Sequence, residues 1–291
     1  VGGSEHTITV HTKDSADNVN DTNVNDTATT LSNGCGEVSS SVTMHNNVST
    51  SGTCFTIRSD NVTIDCNGYF ITGSQDGFGV NVSGQNNVEI KNCVITNFTR
   101  AVSFVNTNHS RFNNNTLTGN NGDYAGIYSY QSNYNNVTDS LFTLNNASDN
   151  AGLYLELSSN WRVINTTYTA NNVTKASAIN GAGILGLYDN SNNSYFETIT
   201  ANNNIVNMTG TSFGDEINGG GIVGLYSNCG NNVINDTTIS GNIVHSGFRI
   251  HGGGGIGLID SSSNNELSSV SVINNTITSS DIWGGGGIGL Y

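Results

Sequence analysis

Positive charge is the scarcest commodity in this sequence. Lys and Arg together number 8 in 291 residues, against 22 Asp and Glu, for a formal net charge of −14. Only 10% of residues are charged, so the imbalance reflects missing cations rather than the acidic excess of a halophile. It argues against nucleic acid and anionic membranes as partners. No apolar run reaches the ~20 residues that a membrane helix needs, so no membrane insertion is expected. No signal-peptide pattern is visible, and Val1 reads equally as a processed N-terminus or as the boundary of a piece of a longer chain. The five cysteines include no Cys-X-X-Cys and no paired Cys/His spacing, which argues against zinc. Six scattered His and two Met argue against a copper carrier. No cofactor is expected.

What the chain has is repetition. Ile179-Asn180-Gly181-Ala182-Gly183-Ile184-Leu185-Gly186-Leu187-Tyr188 returns from Ile217 to Tyr226, from Ile250 to Ile259 and from Ile282 to Tyr291, at offsets of 38, 33 and 32 residues. Short β-branched runs between Gly/Asn corners, without helical periodicity, make each unit one coil of a solenoid. An earlier strand recurs as Ile71-Thr72, Ile95-Thr96, Leu117-Thr118, Phe142-Thr143, Tyr168-Thr169, Ile199-Thr200, Ile239-Ser240 and Val272, with spacings that lengthen late in the chain. Asparagine pairs recur at what reads as one corner: Asn86-Asn87, Asn135-Asn136, Asn192-Asn193, Asn231-Asn232 and Asn264-Asn265. Asn tolerates left-handed backbone, and stacked amides hydrogen-bond to one another. The expected fold is all-β: a right-handed parallel β-helix of about nine rungs over residues 34–291. Residues 1–33 divide into a short strand at 6–11 and a polar linker.

The stretch Cys54-Phe55-Thr56-Ile57-Arg58-Ser59-Asp60-Asn61-Val62-Thr63-Ile64-Asp65-Cys66 resembles the opening rung of secreted β-helix repeat proteins, archaeal surface ones in particular, within the pectate-lyase-like architecture. Asn87-Val88-Glu89-Ile90-Lys91-Asn92-Cys93 looks like their next rung. The resemblance covers residues 35–291 and is one of repeat pattern. It implies fold far more than function, because this architecture hosts lyases, hydrolases, adhesins and inert fibres.

Cys35 and Cys54 bracket the first coil and form the leading disulfide candidate. Cys66 and Cys93 share a context that places them on adjacent rungs, close enough for a bond or a ladder of buried thiols. Cys229 is left over. An oxidising, extracellular setting is favoured. Sixteen Asn-X-Ser/Thr sequons are glycosylation candidates: Asn20, Asn25, Asn47, Asn61, Asn81, Asn97, Asn108, Asn114, Asn136, Asn146, Asn165, Asn172, Asn192, Asn207, Asn235 and Asn274. The competing expectation is that many are unmodified ladder asparagines.

Sugar chemistry on such a fold needs clustered carboxylates facing one groove. Asp189, Asp215, Glu216, Asp260 and Asp281 lie on the long coils, with Arg249 and His251 nearby in sequence. His251 occupies a variable slot, shared with Asn180, Asn218 and Trp283, and Lys occurs only at 13, 91 and 175. These residues therefore read as solvated loop charges, with no catalytic or metal site. Asp215 and Glu216 are the sole candidates to help hold calcium. Phe213, Phe248 and Trp283, beside Ile179, Ile217, Ile250 and Ile282, would align into an apolar ridge next to bare glycine. Such a ridge is either a satellite core under the loops or a docking strip for a neighbouring chain.

The sequence stops within its most regular phrase, while residues 6–11 provide a spare strand. Open rungs recruit strands, so Ile8 and Val10 at one end and Ile288, Leu290 and Tyr291 at the other are the expected assembly interface. The leading expectation is thus an extracellular, non-enzymatic structural protein that polymerises head-to-tail by strand addition. The alternative is a carbohydrate-active or carbohydrate-binding β-helix (lyase- or hydrolase-like), or an adhesin, with glycans as partners.

Overall fold

In this computed structural model, the structure describes residues 34–291 and, before them, the strands Ser4–Thr9, Thr12–Lys13, Val19–Asn20 and Asn25–Thr30. Val10 lies outside the described residues. Ser4–Thr9 pairs antiparallel with Asn25–Thr30, with Ile8 opposite Asp26. The strand read as spare therefore has a partner within its own chain. The β-branched residues of Asn25–Thr30 supply that partner inside a stretch read as linker.

From residue 34 onward the chain winds as a right-handed parallel β-helix. Alternation of apolar and polar residues drives the winding, because each inward side chain stacks on its equivalent one coil away. One column runs Ile64, Ile90, Phe112, Val137, Val163, Phe196, Ile234 in unbroken register. A second runs Ile71, Ile95, Leu117, Phe142, Tyr168, Ala201, Ile239. All fourteen of these side chains are buried, each burial contributing about 1.5–3 kcal/mol for the larger side chains. The strands form a 14-stranded, a 10-stranded and an 8-stranded sheet along the sides of the coil. The ten strands of the second begin with Gly36–Val38 and end with Ile288–Leu290, which sets the rung number at ten.

Two asparagine devices hold the corners. The first is a column with left-handed backbone: Asn61, Asn87, His109, Tyr134, Asn160, Asn193, Asn231 and Asn264, all near φ 55–60°. The second is a buried amide ladder through Asn120, Asn145, Asn171, Asn204, Asn242 and Asn275. Each Nδ2 donates to the next Oδ1 at 2.8–3.1 Å. The Asn-Asn pairs thus share one corner but not one slot within it. Asn87 and Asn193 close their pairs in the left-handed slot, Asn231 and Asn264 open theirs there, and Asn135 follows a left-handed Tyr134. Asn232 and Asn265 instead turn inward as backbone caps. One residue type serves both slots because it tolerates φ > 0 and carries both a donor and an acceptor.

Candidate functional site: an aromatic face on the ten-stranded sheet

The outward positions of the ten-stranded sheet form two columns, and aromatic residues move from one to the other as the coils lengthen. In the shorter coils Tyr128 and Tyr154 are in register in the first column. In the longer coils that column becomes Gly186, Gly224, Gly257 and Gly289. The aromatic position moves two residues along, to Tyr188 and Tyr226 in register with each other. The cause is steric. The extra residues fold back over the sheet, so that a Cβ on Gly224 would lie 1.6 Å from the Gly181 carbonyl oxygen, and one on Gly257 would lie 2.1 Å from that of Gly219. The glycine strip is therefore occupied by the chain's own backbone and is buried at Gly186, Gly224 and Gly257. It is no docking strip for another chain.

The tyrosines make a continuous stack. Centroids are separated by 4.8 Å for Tyr124–Tyr154, 6.3 Å for Tyr154–Tyr188 and 5.6 Å for Tyr188–Tyr226. Arg100 lies 4.4 Å from the Tyr128 ring centroid and also faces Phe78 and Tyr124, while the Tyr128 hydroxyl donates to Glu156 Oε2 at 2.9 Å. Burial first, then the charges of Asp189 and Glu156, pushes the Tyr188 phenol above its ordinary pKa. Burial and then Asp260 do the same to Tyr226. Tyr226, His251, Ile259, Asp260, Ser261 and Tyr291 line a pocket of about 380 Å³ at the far end.

Beside that pocket the folded-back segments bring Glu216, Arg249 and Asp281 into register. Arg249 bridges both carboxylates, through NH1 to Glu216 Oε1 at 3.1 Å and Nε to Asp281 Oδ2 at 3.2 Å. Its guanidinium lies 3.9 Å from the Trp283 centroid. His251 stacks on Trp283 at 5.0 Å and 7°, and Tyr291 closes on both rings. His251 Nε2 is 3.5 Å from Glu216 Oε2 without forming a hydrogen bond. Burial holds the imidazole pKa below its ordinary value, outweighing the upward pull of Glu216. Glu216, Arg249 and His251 are only 12–17% exposed at the side chain, so they form a packed cluster, not the solvated loop charges expected.

The remaining candidates separate. Ile179, Ile217 and Ile250 point into the core, so they form no ridge. Phe213 is 88% exposed and meets only the edge of Phe248. Asp215 accepts the Ser212 amide within a turn. Cys35 is bonded to Cys54 and Cys66 to Cys93, while Cys229 is free and buried. Among the described sequon asparagines, Asn47, Asn61, Asn114, Asn146, Asn165 and Asn274 are exposed, and Asn81, Asn97, Asn108, Asn136, Asn172, Asn192, Asn207 and Asn235 are half-buried. Some serve as ladder rungs: Asn172 donates to Asn146, Asn165 to Asp139 and Asn114 to Asn92. Ile288 and Leu290 lie in register with Ile256 and Leu258 and are 42% and 70% exposed; Tyr291 is 65% exposed. The tyrosine stack and Arg100 went unrecognised in the sequence. Their signal was the Leu-Tyr that ends three of the four long phrases.

No protein-family model matches this sequence, and no curated protein is similar to it in sequence. Among solved structures the chain is similar to an endo-xylogalacturonan hydrolase from Aspergillus tubingensis, at 13% identity and a TM-score of 0.40, covering 85% of this chain and 84% of that one. It is also similar to the tailspike protein of E. coli bacteriophage HK620 in complex with pentasaccharide, at 9% identity and a TM-score of 0.29. It covers 83% of this chain and 55% of the tailspike, so this chain spans about half of that longer protein. These likenesses concern the fold alone. The expectation of a non-enzymatic chain is withdrawn. Glu216 and Asp281 share one arginine beside a pocket, where isolated loop charges had been expected.

Proposed function

We propose that this chain is a carbohydrate-binding β-helix that holds an extended polysaccharide along the outer face of the ten-stranded sheet. The observation that carries this reading is the ring stack from Tyr154 across to Tyr188 and Tyr226, the last two in register on adjacent rungs. Tyr154 is buried, while Tyr188 and Tyr226 are half-buried and offer ring edges and phenol groups one rung apart, with centroids separated by 5.6 Å. Tyrosine suits this task because it combines an apolar ring with a hydroxyl that donates and accepts. The pocket at Tyr226, His251 and Tyr291 would seat a terminal or branching sugar. Glu216 and Asp281 are the carboxylates on which acid–base sugar chemistry would draw. Disulfides between adjacent coils favour an oxidising, extracellular setting.

The test is affinity electrophoresis against a panel of soluble polysaccharides, comparing the native chain with Tyr188→Ala/Tyr226→Ala. Retardation of the native chain that the double variant loses supports the reading; equal migration of both in every polymer overturns it. Reducing-end assays on the polymer bound, repeated with Glu216→Gln, read catalysis separately. Release abolished by that substitution assigns chemistry to the Arg249-bridged pair, and binding without release assigns binding alone.

A further inference from the structure

Among the described residues, each cation at the aromatic face is already held, by a carboxylate or by aromatic rings. Arg249 is taken up by Glu216 and Asp281. Lys175 is paired with Asp149. Arg100 is enclosed by the rings of Phe78, Tyr124 and Tyr128, and its Nε is buried without a hydrogen-bond partner. The carboxylates are disposed the other way. Glu156, Asp189 and Asp260 stand beside the tyrosine stack, and among the described residues none of the three pairs with a cation. His251, the remaining basic group, is held toward its neutral form by burial.

We infer that the polysaccharide held on this face is an uncharged one, and that Glu156, Asp189 and Asp260 reject acidic polymers. The inference rests on the polysaccharide-binding reading above and names the class of polymer. A uronate carboxylate laid along Tyr188 and Tyr226 meets three like charges and finds no free ammonium or guanidinium. Like-charge approach is a specificity device that operates by repulsion. The hydroxyls of a neutral sugar, in contrast, can donate to those same carboxylates, making hydrogen bonds strengthened by the negative charge.

The experiment compares an acidic polymer with its neutral ester and with a second, neutral polymer. The full chain is titrated calorimetrically with polygalacturonate, with its fully methyl-esterified form and with a neutral β-glucan, at low and at physiological salt. The expected result is binding of at least one uncharged polymer, with polygalacturonate weaker than its ester by about tenfold or more at low salt and the gap narrowing as salt screens the carboxylates. Asp189→Asn/Asp260→Asn should narrow the same gap at low salt. Polygalacturonate bound as tightly as its ester, or a gap that the double variant leaves unchanged, overturns the inference while leaving polysaccharide binding standing. Binding of none of the three, nor of any polymer in the wider panel, overturns both.

Discussion

Gly224 lies beneath the carbonyl oxygen of Gly181, so close that a Cβ there would sit 1.6 Å from that oxygen. Both residues belong to the phrase repeated in the sequence, and the contact joins the start of one copy to the end of the next.

Gly224→Ala therefore forces the folded-back segment off the sheet. The expected cost is about 3 kcal/mol, at the upper end for overpacking a filled site, read as a lowered urea midpoint. Gly286→Ala, where nothing lies within 4 Å, should shift stability by no more than about 0.5 kcal/mol. Equal effects at the two positions would show that the seam does not constrain the coil.

Asn204 stands in the middle of the amide ladder. Its Oδ1 accepts from the Asn171 amide and Nδ2, and its own Nδ2 donates to the Tyr168 carbonyl and to Asn242. Asn204→Ala leaves buried groups unpaired at a cost of about 2–3 kcal/mol. Asn204→Asp keeps the shape but places a carboxylate in a buried site. It should be less stable than Asn204→Ala at neutral pH and recover as the solution is acidified into the carboxylic range. Thermal melts across pH test this, and a flat profile for Asn204→Asp would exclude a buried ladder.

The cysteines give a chemical readout. The Cys229 thiol is buried and its pKa is pushed up to about 12, chiefly by that burial. It should resist thiol reagents in the native protein. Denaturation without reductant should expose one thiol, and denaturation with reductant all five. The bridges close 19 and 27 residues, so reduction should remove about 3 kcal/mol for each. More than one thiol in the unreduced, unfolded chain would contradict the pairing.

His251 should make the aromatic end sensitive to acid. Its folded pKa is depressed, so the unfolded chain binds this proton first. The stabilisation is fully present above the unfolded value of about 6.5 and is lost as pH falls through the lower folded one. His251→Asn, which restores the residue found at 180 and 218, should weaken this dependence. Urea unfolding at pH 7.5 and 5.5 measures it, and an identical pH slope in both proteins would discount the histidine.

Much of this architecture was legible along the chain. Recurrence of Ile-Thr and Leu-Thr at coil length gave one inward column, except that Ala201 and not Ile199 stands opposite Tyr168, and shared sequence context put Cys66 beside Cys93. The rung number was set one too low, and the first rung is the faintest in sequence, since its strand Gly36–Val38 carries a single buried apolar residue, Val38. The Asn-Asn pairs misled for a different reason: adjacency in sequence does not reveal which member turns left-handed and which turns inward. Glu216, Arg249 and Asp281 each precede one copy of the repeated phrase, at its offsets of 33 and 32 residues, so their alignment was implicit in the repeat; their burial and the bridging by Arg249 were not.

By itself, the sequence determined a stack of parallel coils, because periodic apolar residues and left-handed-tolerant corners are local properties that survive without knowledge of the contacts. Tertiary structure decided what each coil presents outward. Whether a glycine is bare or covered, an arginine free or bridged, a tyrosine isolated or stacked depends on which residue of the next coil arrives opposite it. Coil lengths that vary from 19 to 38 residues set which residues arrive opposite one another.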